Sequence, residues 1–220
     1  MTALAGIAGL GFAVMLVAVN PVLLRAGLPL PGSTRPLAEI SDSLACAASR
    51  IRAPSVIVPL AWLCTTVFAG GLVATLWGDD PGTNTLALIG FAAFLMQSAV
   101  FAVVEALRFG LVSAATRAPG SVAGLWTMAN VLGGFNRVFL TLALVGFGAA
   151  GERTGLIPGW HAWLGHLCAA LLLALAMLTP YSLGGDRHPT ARRIDSLGWL
   201  AGGLAWITWI VAFSVQLLAH

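Results

Sequence analysis

"TLALIGFAAFLMQSAVFAVVEALRFGLVS", residues 85–113, decides the fold. It exceeds the roughly 20 apolar residues that carry a helix across a bilayer, and its only charges are Glu105 and Arg108. No alternation of apolar and polar residues runs through it, so it does not read as a strand of an outer-membrane barrel. A segment kept out of water must satisfy its backbone N–H and C=O groups internally, and a helix does so within one span.

The same character recurs outward in both directions. Further apolar segments cover about residues 3–24, 54–77, 121–149, 157–181 and 196–218. With 85–113 they predict an all-α integral membrane protein, a bundle of about six transmembrane helices forming one polytopic domain over residues 1–220. Composition agrees. Charged residues are 9% of the chain against about 25% in soluble domains, and mean hydropathy is +0.93. The first segment lacks a basic stretch ahead of its apolar run, so it reads as a retained span and not as a secretion signal.

The connections are marked by helix breakers. "GLPLPGSTRP" (27–36), "GDDPGTN" (78–84), "TRAPGS" (116–121), "GERTG" (151–155) and "GGDRHPTARR" (184–193) each interrupt the apolar pattern with Gly, Pro and polar residues. Pro21, Pro54 and Pro59 predict local kinks in the first and second spans. "LAEISDSLACAASRI" (37–51) spaces apolar residues helically among charges. It reads as a short amphipathic helix between the first and second spans, either lying at the membrane interface or packed on the end of the bundle.

Every basic side chain apart from histidine is arginine, and no lysine is present. A Schiff-base or catalytic lysine is therefore excluded, and the usage points to a GC-rich bacterial genome. Arg25, Arg35, Arg50, Arg52, Arg108, Arg117, Arg187, Arg192 and Arg193 fall on one side of the predicted membrane, with Arg153 alone on the other beside Asp79, Asp80 and Glu152. Positive charge concentrates in cytoplasmic loops. The expected location is a cell inner membrane with both termini on the non-cytoplasmic side. Trp77, Trp160, Trp163 and Trp199 lie near span ends, where indole rings favour the interface, while Trp206 and Trp209 lie deeper.

Charges inside a span are expensive, and they pair or face a cavity. Glu105, Arg108 and Gln97 share one face of the third span, and Asn130, Gly134 and Arg137 share one face of the fourth, by helical spacing. Asn20, before Pro21, reaches a comparable depth on the first span. Two readings follow. Glu105 pairs with Arg108 or Arg137 and clips neighbouring spans together, or Glu105, Arg137 and Asn130 line a polar pocket for a ligand. Arg108 can also snorkel to the surface.

Other chemistry is not indicated. His161 and His166 in "GWHAWLGH" are five residues apart, about 140° around a helix, and cannot share one ion from one face. His161 reads as interfacial and His166 as an interior group. Cys46, Cys64 and Cys168 form no C-x-x-C pair and read as small packing residues. No metal site or cofactor is suggested, and nucleotide-binding or hydrolase motifs are absent. Glycines at Gly6, Gly9 and Gly11, at Gly133 and Gly134, and in "GWLAG" (198–202) allow close helix approach within the bundle or to another protein. The expected partners are the lipid bilayer, other membrane subunits, or a lipophilic or anionic small molecule, with no nucleic acid. Function narrows to an accessory or ligand-binding membrane protein. The alternatives are a small transporter or channel using Glu105, Asn130 and Arg137, and an enzyme on a lipophilic substrate with Glu105 as acid or base.

Overall fold

The computed structural model describes the backbone of residues 2–29, 33, 35–182 and 189–220, with side chains throughout that set except at 53, 54 and 182–201. Arg187, Arg192 and Arg193, with His188, Gly198 and Trp199, therefore lie outside the described side chains. All regular elements among the described residues are helical. They are α1 (Thr2–Arg25), α2 (Leu37–Ala47), α3 (Arg52–Ser55), α4 (Val58–Leu76), α5 (Pro81–Arg117), α6 (Val122–Arg153), α7 (Gly159–Leu178) and α8 (Pro189–Ala219). Six of them are long and apolar enough to cross a membrane, as a multi-pass membrane protein requires.

Local chemistry sets the ends. α5 begins at Pro81, four residues before its apolar run, because Asp80 caps it by accepting from the N–H groups of Gly82 (3.1 Å) and Thr83 (3.0 Å). The Thr83 hydroxyl also donates to this carboxylate at 2.6 Å. That hydroxyl, and then the two backbone donors, hold the Asp80 carboxyl below its ordinary pKa. Pro81 fits the first helical position because no N–H is needed there. At the other end of the bundle Gly27 adopts φ +98° and terminates α1. The Leu28 N–H reaches back to Leu23 O (3.2 Å) and the Gly27 N–H to Leu24 O (3.0 Å), a closure that favours glycine.

Proline acts differently from the sequence expectation. Pro54 lies in the separate short helix α3, and Pro59 falls in the first turn of α4, so the predicted span 54–77 is shorter and starts at Val58. α1 continues through Pro21.

The long helices form a ring in chain order. α1 packs on α4, α4 on α5, α5 on α6, α6 on α7, α7 on α8, and α8 closes back on α1. The short α4–α5, α5–α6 and α6–α7 connections make those helices antiparallel neighbours, and small residues let the helices approach. Gly71 meets Ala5 across α4 and α1, Gly146 lies against the α5 backbone at Leu86 and Gly90, and Gly6 lies against Ser214 and Leu218 of α8. The last contact brings the two termini to the same end of the bundle.

Inside the ring, aromatic rings fill the space. Phe94 sits 5.9 Å from Phe68, 6.3 Å from Phe147 and 5.2 Å from Trp206 between ring centroids. Trp206 stacks on Trp209 at 5.7 Å, and Trp209 meets Phe213 at 4.8 Å. Trp206 and Trp209 are thus core residues. Each such aromatic pair adds about 0.5–1.5 kcal/mol beyond its burial.

A second apolar cluster lies at the end away from the termini. α2 buries Ile40, Leu44 and Ala47 against Leu23 of α1, Leu111 of α5 and Val122 of α6. Its apolar face is occupied by the bundle, which is the packed alternative of the two sequence readings. Arg35 steadies it by donating to Ser43 Oγ (3.1 Å), which in turn donates to Glu39 O (2.8 Å).

Candidate functional site

Between the aromatic core and the α2 cluster lies a cavity of about 40 Å³ formed by α1, α4 and α5. Its walls are Phe12, Leu16 and Val19 of α1, Val58 and Ala61 of α4, and Phe101 of α5. Polar groups gather in it: Asn20 on α1, Trp62 on α4, and Glu105 with Arg108 on α5. Helical spacing puts Phe101, Glu105 and Arg108 on one face, and the ring order brings that face opposite Asn20.

Glu105 is 4% exposed. Arg108 Nη1 lies 2.8 Å from its Oε1 and donates to Oε2 at 3.0 Å. One guanidinium nitrogen thus serves both carboxylate oxygens, and the Arg108 side chain keeps 22% of its surface exposed. Of the two partners open to Glu105 from sequence, Arg108 is the one it takes. Asn20 is exposed at the mouth and donates from Nδ2 to its own helix at Leu16 O (2.9 Å). Trp62 Nε1 is buried with no hydrogen-bond partner among the described residues. α4 starts beside it at Val58, with no side chain capping its N-terminus and Pro59 in its first turn.

The other candidates do not join this site. Gln97 is buried on α5, two turns from Glu105 and outside the cavity lining. Asn130 is half-buried on α6. Arg137 is buried and donates from Nη1 to Leu175 O on α7 at 3.3 Å. The reason lies in how α7 ends. The Thr179 N–H turns to Ala176 O (3.1 Å), and Leu175 O instead accepts from Arg137 and from Thr179 Oγ1 (3.3 Å). Last-turn carbonyls are the negative end of the helix dipole, where a cation is stabilising. Gly134, one turn before Arg137, lies against Thr179, and Thr141, one turn after, donates to Ala169 O at 3.2 Å. This stripe of α6 stitches it to α7. Glu105 thus lines the cavity on α1, α4 and α5, and Arg137 belongs to the α6–α7 seam.

Sequence reasoning missed Trp62, whose signal was an indole one turn after Pro59 in an apolar span. It also missed Asn136, buried next to Arg137 with Oδ1 lacking a partner among the described residues. His161, two residues into α7, is fully buried against Phe213 (5.3 Å) and Trp209 (6.0 Å), and His166 is the half-exposed one. Cys46 is exposed, unlike the buried Cys168. Among the described residues no three His, Cys, Asp or Glu side chains come together as a metal site. Comparison of the chain with protein-family models, curated proteins and solved structures found no match.

Proposed function

We propose that this is a multi-pass protein of a bacterial inner membrane that binds a lipophilic small molecule in the α1–α4–α5 cavity. The observation that carries the reading is an apolar cavity with a half-buried ion pair at its polar end, the usual composition of a small-molecule site. Its mouth opens near Asn20 and Ile57, both exposed. Arginine distribution supports placing this mouth on the cytoplasmic side: Arg25, Arg50, Arg52 and Arg117 flank the α2 end, and Arg153 stands at the other.

The competing readings have less support. A transport path through the ring would meet Phe68, Phe94, Phe147, Trp209 and Phe213, all fully buried in the aromatic core. Acid–base catalysis commonly uses a second titrating group beside the first, and among the described residues Glu105 is the one buried carboxylate. Docking as an accessory subunit would draw on glycines such as Gly70, Gly124, Gly133 and Gly203, which meet nothing within 4 Å, whereas Gly6, Gly71, Gly134, Gly146 and Gly202 are engaged inside the bundle; open glycines by themselves name no partner.

Native mass spectrometry of protein purified in mild detergent tests the proposal. The wild-type protein should carry a lipophilic adduct that Ala61→Phe and Val58→Phe, which fill the cavity, both remove while melting close to wild type. Adducts retained by both variants would overturn it.

A further inference from the structure

We infer that the molecule held in this cavity arrives from the bilayer, entering sideways through a gap between α1 and α4. It is a membrane-dissolved chain with a small uncharged polar end, and the inference rests on the ligand-binding reading above. The sequence makes the gap. α1 and α4 are antiparallel, with Ala5 against Gly71, Gly9 against Phe68 and Gly11 beside Cys64. Each turn gained along α1 is a turn lost along α4, and that register sets Asn20 opposite Ile57, the residue before α4. Glycine lets the two helices close up on the side of the termini. No glycine occurs in residues 12–25 of α1 or 58–69 of α4, and the cavity opens where glycine gives way to Leu16, Val19 and Trp62.

The other walls are shut. Toward the termini the cavity ends on Phe12, a member of the aromatic core. Toward the opposite end it stops at Leu23, which packs with Ile40 and Leu44 of α2. α5 forms the back, where Glu105 is buried. The exposed members of the lining are Asn20 and Ile57, the two residues that the register sets face to face. The way in is therefore lateral.

A lateral gap at this depth faces hydrocarbon. α4 is about as long as the hydrocarbon core is thick, which sets Val58 at its edge, and Asn20 lies about 7–8 Å deeper than Arg25 along α1. Val17, one turn from Asn20, and Leu60, one turn from Ile57, are exposed and apolar. A charged group would have to shed its water to pass there, whereas an uncharged hydroxyl or amide does so at far lower cost. Inside, Glu105 and Arg108 cancel in charge, and a carboxylate and a guanidinium between them can both accept from and donate to a neutral group. At one water-sized probe per about 10–15 Å³, the volume of about 40 Å³ takes that polar end alone, and the chain stays in the gap and the bilayer.

Photolabelling of the full-length protein in phosphatidylcholine nanodiscs tests this. The probes are hexadecanol with a diazirine beside its hydroxyl end, hexadecyl phosphate with the diazirine at the same place, and a butanol with the same reactive end. Labelling of the cavity lining at Leu16 and Ala61 is read by mass spectrometry against the lipid-facing Leu171 of α7, which is exposed. The hexadecanol probe should label the lining roughly tenfold or more above the other two. In a protein lacking native cysteines, Asn20→Cys and Ile57→Cys are then joined across the gap by a short bis-methanethiosulfonate reagent. The link should cut lining labelling several-fold and leave Leu171 unchanged, and dithiothreitol should restore it. Equal labelling by the butanol overturns entry from the bilayer, and equal labelling by the phosphate overturns the uncharged end. Failure of the two cysteines to be linked overturns the gap. Lining labelling that ignores the link overturns the gap too, while sparing the cavity. A lining that no probe labels in the unlinked protein sinks the ligand-binding reading itself.

Discussion

Arg108 and Arg137 are two guanidinium groups set in apolar helices, and their partners differ in kind. Arg108 meets a carboxylate one turn away on its own helix, whereas Arg137 meets the carbonyl of Leu175 at the end of α7. The i, i+3 spacing of Glu105 and Arg108 made the first pairing one of the two that the sequence left open. Nothing in the sequence announced the second, because it depends on where a neighbouring helix stops. Trp62 was hidden for a related reason, since an indole in a span has no visible direction until its neighbours are known. A double-mutant cycle separates the two arginines. Glu105→Gln with Arg108→Gln should show coupling on the order of 1–3 kcal/mol, between exposed and fully buried pairs. Glu105→Gln with Arg137→Met should be additive within about 0.5 kcal/mol, and Arg137→Met alone should lose about 1.5–3 kcal/mol with its charged hydrogen bond. Unfolding measured in detergent checks both cycles, and strong Glu105–Arg137 coupling would contradict the described pairing.

Among the helices, the six long segments were read correctly in number and order, while their ends and their packing were not. α5 starts at Pro81 because of a polar first turn that hydropathy alone excludes, although Asp80 followed by Pro81 was a readable cap signal. α4 starts later than expected because prolines at 54 and 59 divide the chain there instead of kinking one helix. Gly133 and Gly134 show what periodicity leaves out. Both looked suited to close approach, but a Cβ on Gly134 would run into Thr179 of α7, while one on Gly133 would meet nothing within 4 Å. Gly133→Ala should therefore be neutral or slightly stabilising, by up to about 1 kcal/mol of helix propensity. Gly134→Leu should force α6 from α7 and destabilise by about 1–3 kcal/mol. Thermal unfolding of the two variants side by side gives the answer, and equal melting temperatures would mean that the α6–α7 contact is not as close as described.

For the molecule as a whole, the ring order explains why one end is basic. Antiparallel neighbours in chain order place both termini at one end and the α1–α4 connection, α2 and the α5–α6 turn at the other. Membrane thickness adds a constraint. α4 and α7, of 19 and 20 residues, are about 28–30 Å long, matching the hydrocarbon core of a bilayer. α5 and α6, of 37 and 32 residues, are longer by about 18 Å or more, and α2 packs on the part that extends past the ends of the shorter helices. The sequence displayed this asymmetry through its arginines, but not the cap, because α2 declares only that it is amphipathic and not what it covers. If positive charge sets the orientation, the capped end is cytoplasmic, and the protein holds a natural reporter of it. Cys46 is exposed on α2, whereas Cys168 is buried. In intact cells an impermeant maleimide should leave Cys46 unlabelled and should label it after permeabilisation. In a protein lacking native cysteines, Ala118→Cys in the exposed α5–α6 turn should behave like Cys46, and Asp79→Cys in the exposed α4–α5 turn should label from outside without permeabilisation. The reverse pattern at Cys46 and Ala118→Cys, with Asp79→Cys protected, would invert the protein and turn the cavity mouth to the cell exterior.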